Sequence, residues 1–168
     1  MKRTRLVFWL LLLIIGGSSS EKLSAQQSIP NDLLITLERS VCFGTCPDYK
    51  VTISADGKVT FEGREYVKVK GSATSHISKE DLSTLIAAFD AASYFSLKDK
   101  YMTESDGCPE VWTDNPRAVT SIRINGKSKT INHYYGCQEH SGASIYPTAL
   151  TTLETKIDKI VGTTRWIK

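Results

Sequence analysis

Two cysteines four positions apart have the clearest chemical potential in this sequence. Cys42 and Cys46 stand in a Cys-x-x-x-Cys-Pro motif that ends at Pro47. A disulfide between them would close a tight loop, in which Gly44 supplies the backbone freedom of the turn. Two thiolates at this spacing could also share a copper(I) ion or cycle between dithiol and disulfide. We expect the structural disulfide, with thiol redox chemistry or copper(I) handling as the alternative.

The other two cysteines, Cys108 and Cys137, are far apart in the chain. An even number of cysteines in an exported protein favours disulfides, and these two pair by exclusion once the first pair is formed. Their bridge would staple a long loop to the base of a hairpin. A mixed zinc site that includes His133 or His140 is the alternative, although the spacings match no familiar zinc pattern.

His133 is the histidine that could complete a redox or metal site with Cys42 and Cys46. Copper chaperones of the Sco type combine Cys-x-x-x-Cys-Pro with a distant histidine, but their thioredoxin-like alternation of strands and helices is missing here. His133 also shares a predicted strand face with Ile122 and Ile131. A histidine in such a position is more often a hydrogen-bonded residue at the edge of the core.

Other polar clusters predict no catalytic site. His140 lies beside Glu139 and Ser141, but no nucleophile-elbow glycine pattern accompanies them. Four acidic residues of the segment 98–116 lack the alternating ligands of a calcium loop, so we interpret them as solvated. They are Glu104, Asp106, Glu110 and Asp114. We therefore expect a protein without enzymatic activity and without a cofactor.

Three aromatic residues are the candidates for a contact surface: Trp112, Tyr134 and Tyr135. Aromatic side chains bury a large area at little entropic cost, which suits them to interfaces. The alternative is that they pack over the second predicted hairpin. The partner would be an unknown protein or another component of the cell envelope.

The amino terminus has the layout of a secretory signal peptide. Basic residues in the first five positions precede an unbroken apolar run from Leu6 to Ile15, and small residues follow. Ten residues rise only about 15 Å as a helix, half of a hydrocarbon core of about 30 Å, so we expect no stable membrane span. Cleavage after Ser20 or after Ala25 fits equally well. The predicted location is secreted or periplasmic.

Removal of residues 1–25 takes away the basic bias of the chain. The full sequence has 21 Lys and Arg against 18 Asp and Glu, and the remainder has 17 of each. A neutral chain without a basic stripe argues against nucleic acid or anionic lipid as partner. We divide the rest into a flexible lead (26–32), one domain (33–162) and a tail (163–168), because its length suits a single domain.

The elements that must position these residues follow from periodicity. Alternating apolar and polar residues predict strands over 33–38, 49–54 and 66–70, with a weaker strand over 73–77. Between the second strand and the residues that follow, a three-residue loop ending at Gly57 would pair Ile53 with Val59, which keeps the apolar side chains on one face.

Ser78 predicts the cap of a helix that fades near Ala92, and a long loop over 98–116 follows. Asn125-Gly126 predicts the two-residue turn of a second hairpin, between 118–124 and 128–134. A last helix begins near Pro147 and ends at Gly162. The predicted fold class is α+β, with an antiparallel sheet packed against two helices. This sheet combines a meander of three to four strands with the second hairpin.

The run from Ile35 to Val51, with Cys-Phe-Gly-Thr-Cys-Pro at its centre, resembles the opening signature of a bacterial exported family, domain of unknown function 6438. Further segments fit the same pattern: Asp56-Gly57-x-Val59, Glu62-Gly63, Val67 to Gly71, Ile77-Ser78 and Tyr94 to Lys98. The resemblance implies a small secreted or periplasmic domain and brings no activity, substrate or catalytic residue. Cys108 and Cys137 lie outside the pattern, which implies an additional disulfide in this chain.

Overall fold

Strands form where apolar residues alternate with polar ones, and the main helices form where apolar residues recur every three to four positions. The structure, a computed structural model, describes residues 28–142 and 144–168. The predicted signal peptide and both cleavage positions lie outside the described residues. In chain order the elements are β1 (Leu34–Arg39), β2 (Tyr49–Ser54), β3 (Lys58–Gly63), β4 (Gly71–His76), α1 (Lys79–Ala91), β5 (Lys100–Tyr101), β6 (Glu110–Val111), β7 (Arg117–Ile124), β8 (Lys127–Tyr134), β9 (Cys137–Gln138), α2 (Thr148–Val161) and α3 (Thr164–Ile167).

Seven strands form one sheet in the order β4-β3-β2-β1-β7-β8-β5, and β6 pairs with β9 in a second, two-stranded sheet. Every pair is antiparallel except β5 with β8. The meander β1 to β4 and the hairpin β7–β8 join along β1 and β7. The fold is therefore α+β with a mainly antiparallel sheet, as the sequence predicted.

One face of the sheet forms the core with α1 and α2. Alternate strand residues on this face are buried, among them Ile35, Leu37, Val51, Ile53, Phe61, Ile122 and Ile131. The loop between β2 and β3 has the predicted register, with Ile53 opposite Val59. Gly57 adopts a φ of +86°, the left-handed conformation expected there. The opposite face carries polar and half-buried residues, and none of the described helices covers it.

The prediction of a strand over 66–70 was wrong, and the weaker segment is the strand β4. Tyr66 has a φ of +53°, which breaks the extended backbone. The loop then folds back so closely that a Cβ on Gly63 would lie 2.0 Å from the Val69 carbonyl oxygen. Val67 and Val69 alternate because this loop lays them against the core, and the Val69 N–H donates to the Trp166 carbonyl.

The helix α1 begins at the predicted cap. The Ser78 hydroxyl accepts from the Asp81 N–H at 3.0 Å, and the Asp81 carboxylate accepts from the Ser78 N–H at 3.2 Å. This reciprocal pair is a capping box. The predicted apolar stripe is buried: Leu82, Leu85, Ile86 and Phe89. After the helix, Tyr94 turns back onto the sheet and its hydroxyl donates to the Thr120 carbonyl.

The second hairpin has the predicted two-residue turn, with Ile124 opposite Lys127 and positive φ at Asn125 and Gly126. The Asp32 carboxylate accepts from the N–H groups of both turn residues, at 2.9 and 2.7 Å. The segment 98–116 was predicted as a loop without regular elements, but it contributes the short strands β5 and β6. These strands form because β8 and β9 offer free edges to this segment.

The carboxyl terminus is part of the packed domain. Pro147 occupies the cap of α2 rather than its first helical position, and Gly162 ends the helix with a φ of +71°. Residues 163–168, predicted as a tail, contain α3. Trp166 is 7% exposed and stacks on Phe61 with ring centroids 4.7 Å apart. Across the described residues, no helix has the length and apolar character to cross a membrane.

Candidate binding surface and the buried network beneath it

A disulfide ring follows β1 and carries the most exposed large apolar side chain among the described residues. Cys42 and Cys46 are bonded as predicted, with Cα atoms 5.5 Å apart. Inside the ring the Gly44 N–H donates to the Cys42 carbonyl at 2.9 Å. Phe43 is 89% exposed. The ring therefore holds an aromatic side chain in water and gives it almost no packing within the domain.

The loops beside this ring are joined to one another by backbone hydrogen bonds. They lie at one end of the sheet and comprise residues 40–48, 64–70, 111–117 and 135–136; we call them the loop end. The bonds that join them are Asp48 N to Glu65 O, Ser40 N to Arg117 O, Tyr135 N to Pro116 O and Trp112 N to Gly136 O, all between 2.7 and 2.9 Å. The loop end is thus one connected surface.

Exposed apolar side chains concentrate at the loop end. Among the described residues, the exposed large hydrophobic side chains there are Val41, Phe43, Tyr66, Val111 and Trp112. The remaining one, Phe95, lies beside Ser128 and Thr130 of β8, away from these loops. Single exposed apolar residues are ordinary on protein surfaces, but their concentration on connected loops makes the loop end the candidate interaction surface.

The three predicted contact aromatics have different environments. Trp112 is 50% exposed, and its indole lies over Gly142, where a Cβ would come within 2.2 Å of the ring. The Tyr134 hydroxyl accepts from the Asn115 N–H at 3.2 Å. The Tyr135 hydroxyl points inward and donates to the Glu154 carboxylate at 2.8 Å. Trp112 is therefore exposed at the loop end, whereas the Tyr135 hydroxyl belongs to the interior.

A polar network lies in the core beneath the loop end, centred on the fully buried Glu154 of α2. Thr120 donates to Oε1 of Glu154 at 3.0 Å, and Oε2 lies 3.0 Å from Nδ1 of the buried His133. His133 Nε2 lies 3.0 Å from the Tyr146 carbonyl and donates to it, since a carbonyl can only accept. Glu154 thereby joins α2 to β7, β8 and the segment before α2.

A second carboxylate extends the network to the base of the disulfide ring. Arg39, the last residue of β1, binds Asp158 of α2 through Nε at 2.8 Å and NH2 at 2.7 Å. It also donates to the Tyr135 hydroxyl at 2.5 Å. Tyr49 donates to the other oxygen of Asp158 at 2.7 Å. Arg39 therefore connects the Asp158 and Glu154 centres, three residues before Cys42.

The burial of this network alters the acidity of its members. Burial raises the pKa of Tyr49 above its usual range, and the neighbouring Asp158 carboxylate raises it further. The pKa of Tyr135 rises for the same reason, with Glu154 as the neighbouring carboxylate. Burial by itself would lower the pKa of Arg39, but Asp158, Tyr135 and Tyr49 together more than offset this and raise it. The tyrosines stay neutral donors and the arginine stays a cation.

The residues of the predicted redox or copper site have separate roles in the structure. Cys42 and Cys46 are bonded to each other in the half-exposed ring, whereas His133 is fully buried and both of its ring nitrogens contact protein oxygen atoms. A metal ion at His133 would have to displace Glu154 or the Tyr146 carbonyl. The part of the chain that the structure describes contains no group of three or more His, Cys, Asp or Glu residues that could hold a metal.

Cys108 and Cys137 form the second disulfide, with Cα atoms 5.2 Å apart. Both residues are buried. The bridge joins the segment 98–116 to β9, where β6 pairs with β9 beside it. Its sulfur atoms are thus bonded to each other rather than placed as zinc ligands with His133 or His140.

The acidic segment contains a local ion pair. Asp106 binds Lys100 at 2.9 Å and accepts from the Thr103 hydroxyl at 3.0 Å. The hydrogen bond from Lys100 lowers the pKa of Asp106. Asp106 therefore has a cationic partner within the protein.

Sequence reasoning missed the residues of the buried network other than His133 and Tyr135. One signal was present, since Glu154 lies on the apolar stripe of the last helix, four residues after Leu150 and three before Ile157. A carboxylate on a buried stripe requires buried donors. Nothing in the spacing of Arg39 and Asp158 indicated that they meet, because 119 positions separate them.

Comparison with known proteins assigns the chain to a family. No curated protein matches the chain. A family model, domain of unknown function 6438, matches residues 33–161. This range includes all the described strands, both disulfides and the buried network. The match covers most of the chain and agrees with the resemblance seen in the Cys-Phe-Gly-Thr-Cys-Pro segment. The chain belongs to the domain of unknown function 6438 family.

Proposed function

We propose that this chain is an exported, noncatalytic binding module whose disulfide ring presents Phe43 to a protein partner of the cell envelope. The observation that carries the proposal is the 89% exposure of Phe43 on a covalently closed ring. The signal-peptide pattern of residues 1–25 supports export. Two disulfides fit an oxidising compartment.

Energetics favour Phe43 as the anchor of an interface. Full burial of a Phe side chain contributes about 1.5–3 kcal/mol, so its exposure in the free domain leaves that free energy available for binding. If Phe43 were on a flexible loop, the conformational entropy lost on binding would offset much of this free energy. The Cys42–Cys46 bond restricts the ring before binding, and preorganisation of this kind reduces the entropic cost.

The attachment of the ring to the domain supports the same role. The Ser40 N–H donates a hydrogen bond to the Arg117 carbonyl, and the Ser40 hydroxyl accepts one from the Arg117 N–H at 3.0 Å. On the other side of the ring, Asp48 exchanges backbone hydrogen bonds with the loop 64–70 and binds Arg64. The ring therefore has fixed ends, and Trp112 lies on the same connected loops as a second aromatic contact.

The proposal is tested by site-specific photo-crosslinking in the organism that produces the protein. The full chain carries p-benzoylphenylalanine in place of Phe43, and a matched variant carries it in place of Phe95, which is 41% exposed outside the loop end. We expect a discrete adduct from position 43 that position 95 does not give. An identical adduct pattern from both positions, or no adduct from position 43, would refute the proposal.

Thiol redox chemistry or copper(I) binding at Cys42 and Cys46 requires free thiolates. Intact mass of the exported protein, with and without prior alkylation, distinguishes this function from the proposed one. A binding module gives a protein with both disulfides closed and no alkylation. A protein recovered with alkylated Cys42 and Cys46, which then takes up one copper(I) ion, contradicts the proposal.

A further inference from the structure

The strand β4 is an open edge of the seven-stranded sheet. It is the terminal strand in the sheet order, and within residues 28–142 and 144–168 no strand pairs with its outer side. Its sequence, Gly71–His76, has no proline and no acidic or lysine or arginine residue, and its register with β3 is unbroken from Gly63–Gly71 to Lys58–His76. Edge strands are usually protected by charges, prolines or bulges. β4 has none of these features.

The hydrogen-bond pattern identifies the backbone groups that face outward. The Ile77 N–H donates to the Gly57 carbonyl, so these two residues form a hydrogen-bonded pair next to the β3–β4 ladder. Hydrogen-bonded and non-hydrogen-bonded pairs alternate in antiparallel sheets. Ser75, Ala73 and Gly71 therefore bond to β3. It follows that the N–H and C=O groups of the intervening Ser72, Thr74 and His76 point away from the sheet.

We propose that β4 pairs with β4 of a second copy of this chain, antiparallel about a two-fold axis through Thr74. In this register Ser72 lies opposite His76 of the second copy, and Thr74 lies opposite Thr74. Every outward N–H and C=O of the strand then has a partner. A two-fold axis through Ala73 would leave the groups of His76 unpaired, so the geometry selects Thr74.

The side chains of β4 are compatible with this self-pairing. A strand without lysine, arginine or acidic residues meets its own copy without like-charge repulsion, and a cross-strand pair of threonines is favourable. Thr74 also ends a row of hydroxyl residues that crosses the uncovered face in register. The row continues through Thr60, Thr52, Thr36, Ser121 and Thr130. The pairing joins this row to that of the second copy, in one sheet with seven strands from each.

The expected assembly is a weak, concentration-dependent dimer, because one strand pair buries less area than a standard interface of about 1,600 Å². Sedimentation velocity of the exported protein, at concentrations up to about 1 mM, measures the fraction of dimer. We expect a monomer–dimer equilibrium. A protein that remains monomeric over this range overturns the proposal.

Charge substitutions on the two-fold axis give the decisive test. Thr74→Lys places two ammonium groups opposite each other, and Thr74→Glu places two carboxylates there. We expect each variant alone to dimerise about tenfold more weakly or worse, and an equimolar mixture of the two to recover dimerisation as a heterodimer. Thr130→Lys, also exposed but near the other side of the sheet, is the matched control and should leave the dimer unchanged.

Two further controls keep the result specific. Far-UV circular dichroism of the Thr74 variants should match the parent protein, since the Thr74 side chain is exposed to solvent. Phe43→Ala should leave the dimer unchanged, which separates this pairing from binding through the disulfide ring. Dimerisation that is insensitive to both Thr74 variants, or that the mixture does not recover, refutes the pairing of β4.

Discussion

Nδ1 of His133 lies 3.0 Å from Oε2 of Glu154, and neither side chain is exposed to solvent. Because His133 Nε2 donates to the Tyr146 carbonyl, a further proton must lie between Nδ1 and Oε2, on one atom or the other. Glu154 also accepts from Thr120 and Tyr135. The carboxyl group is therefore satisfied on both oxygens at the centre of the core, where an unsatisfied one would be very costly.

Glu154→Ala should destabilise the domain by about 3–5 kcal/mol, because it leaves His133, Thr120 and Tyr135 without their buried partner. Glu154→Gln keeps the size and part of the hydrogen bonding, so it should cost less. Urea unfolding followed by circular dichroism measures both changes. Glu62→Ala, at an exposed strand position, is the control and should stay within about 0.5 kcal/mol of the parent protein. Equal losses for Glu154→Ala and Glu62→Ala would contradict the structural role of the network.

Arg39→Met should cost about 2 kcal/mol or more, because it leaves the largely buried Asp158 carboxylate without its cation. Arg64→Met is the matched comparison, since Arg64 binds Glu38 and Asp48 but its side chain is 39% exposed. An exposed pair contributes about 0–1 kcal/mol. Thermal or urea unfolding of the two variants should rank them in this order. The reverse order would show that the Arg39–Asp158 pair contributes little.

The Asp32 carboxylate should stabilise the Asn125-Gly126 turn in a pH-dependent manner. The hydrogen bond from the Gly126 N–H lowers the pKa of Asp32 below its usual range. A lowered pKa in the folded state means that the contribution is fully present above the unfolded value and is lost as pH falls through the folded one. The stability difference between the parent and Asp32→Asn should therefore shrink below about pH 4. A difference that does not change with pH would count against this contact.

The two disulfides should open in a fixed order under mild reduction. Cys42 and Cys46 are half-exposed, whereas Cys108 is 4% and Cys137 0% exposed. Thiol–disulfide exchange requires access of the attacking thiolate to the sulfur atoms. Timed reduction, alkylation and peptide mass mapping should label Cys42 and Cys46 first, while Cys108 and Cys137 stay bonded in the folded protein. Simultaneous labelling of both pairs would contradict this order.

Trp166→Ala should destabilise the protein by about 3 kcal/mol, since it removes a buried aromatic side chain that stacks on Phe61. A chain that ends at Gly162 should lose a similar amount, because it lacks the same contact. Urea unfolding of both variants tests this expectation. Lys168→Ala, at the terminal residue, is the control. A loss below about 1 kcal/mol for Trp166→Ala would show that α3 is dispensable for the fold.

Local patterns predicted much of the fold because each was specified by residues close in sequence. The register between Ile53 and Val59 follows from matching two apolar faces across a short loop that contains Gly57. The Asn125-Gly126 turn and the Ser78 cap likewise depend on a few adjacent residues. The strand predicted over 66–70 failed, because Val67 and Val69 alternate in a loop folded over the core. The segment with the weaker alternation contains the true strand, β4, which is stabilised by its backbone hydrogen bonds to β3.

The sequence by itself determined the α+β class and most of the main elements, since periodicity and turn chemistry are local. It favoured two disulfides and a hydrogen-bonded His133 at the edge of the core. Only the tertiary structure decided what these elements bring together. Arg39 and Asp158 meet across 119 positions, and Glu154 becomes the centre of a network that no spacing indicated. The exposure of Phe43 was also decided there, because burial depends on what the rest of the chain places around a side chain. A one-dimensional pattern does not contain those neighbours.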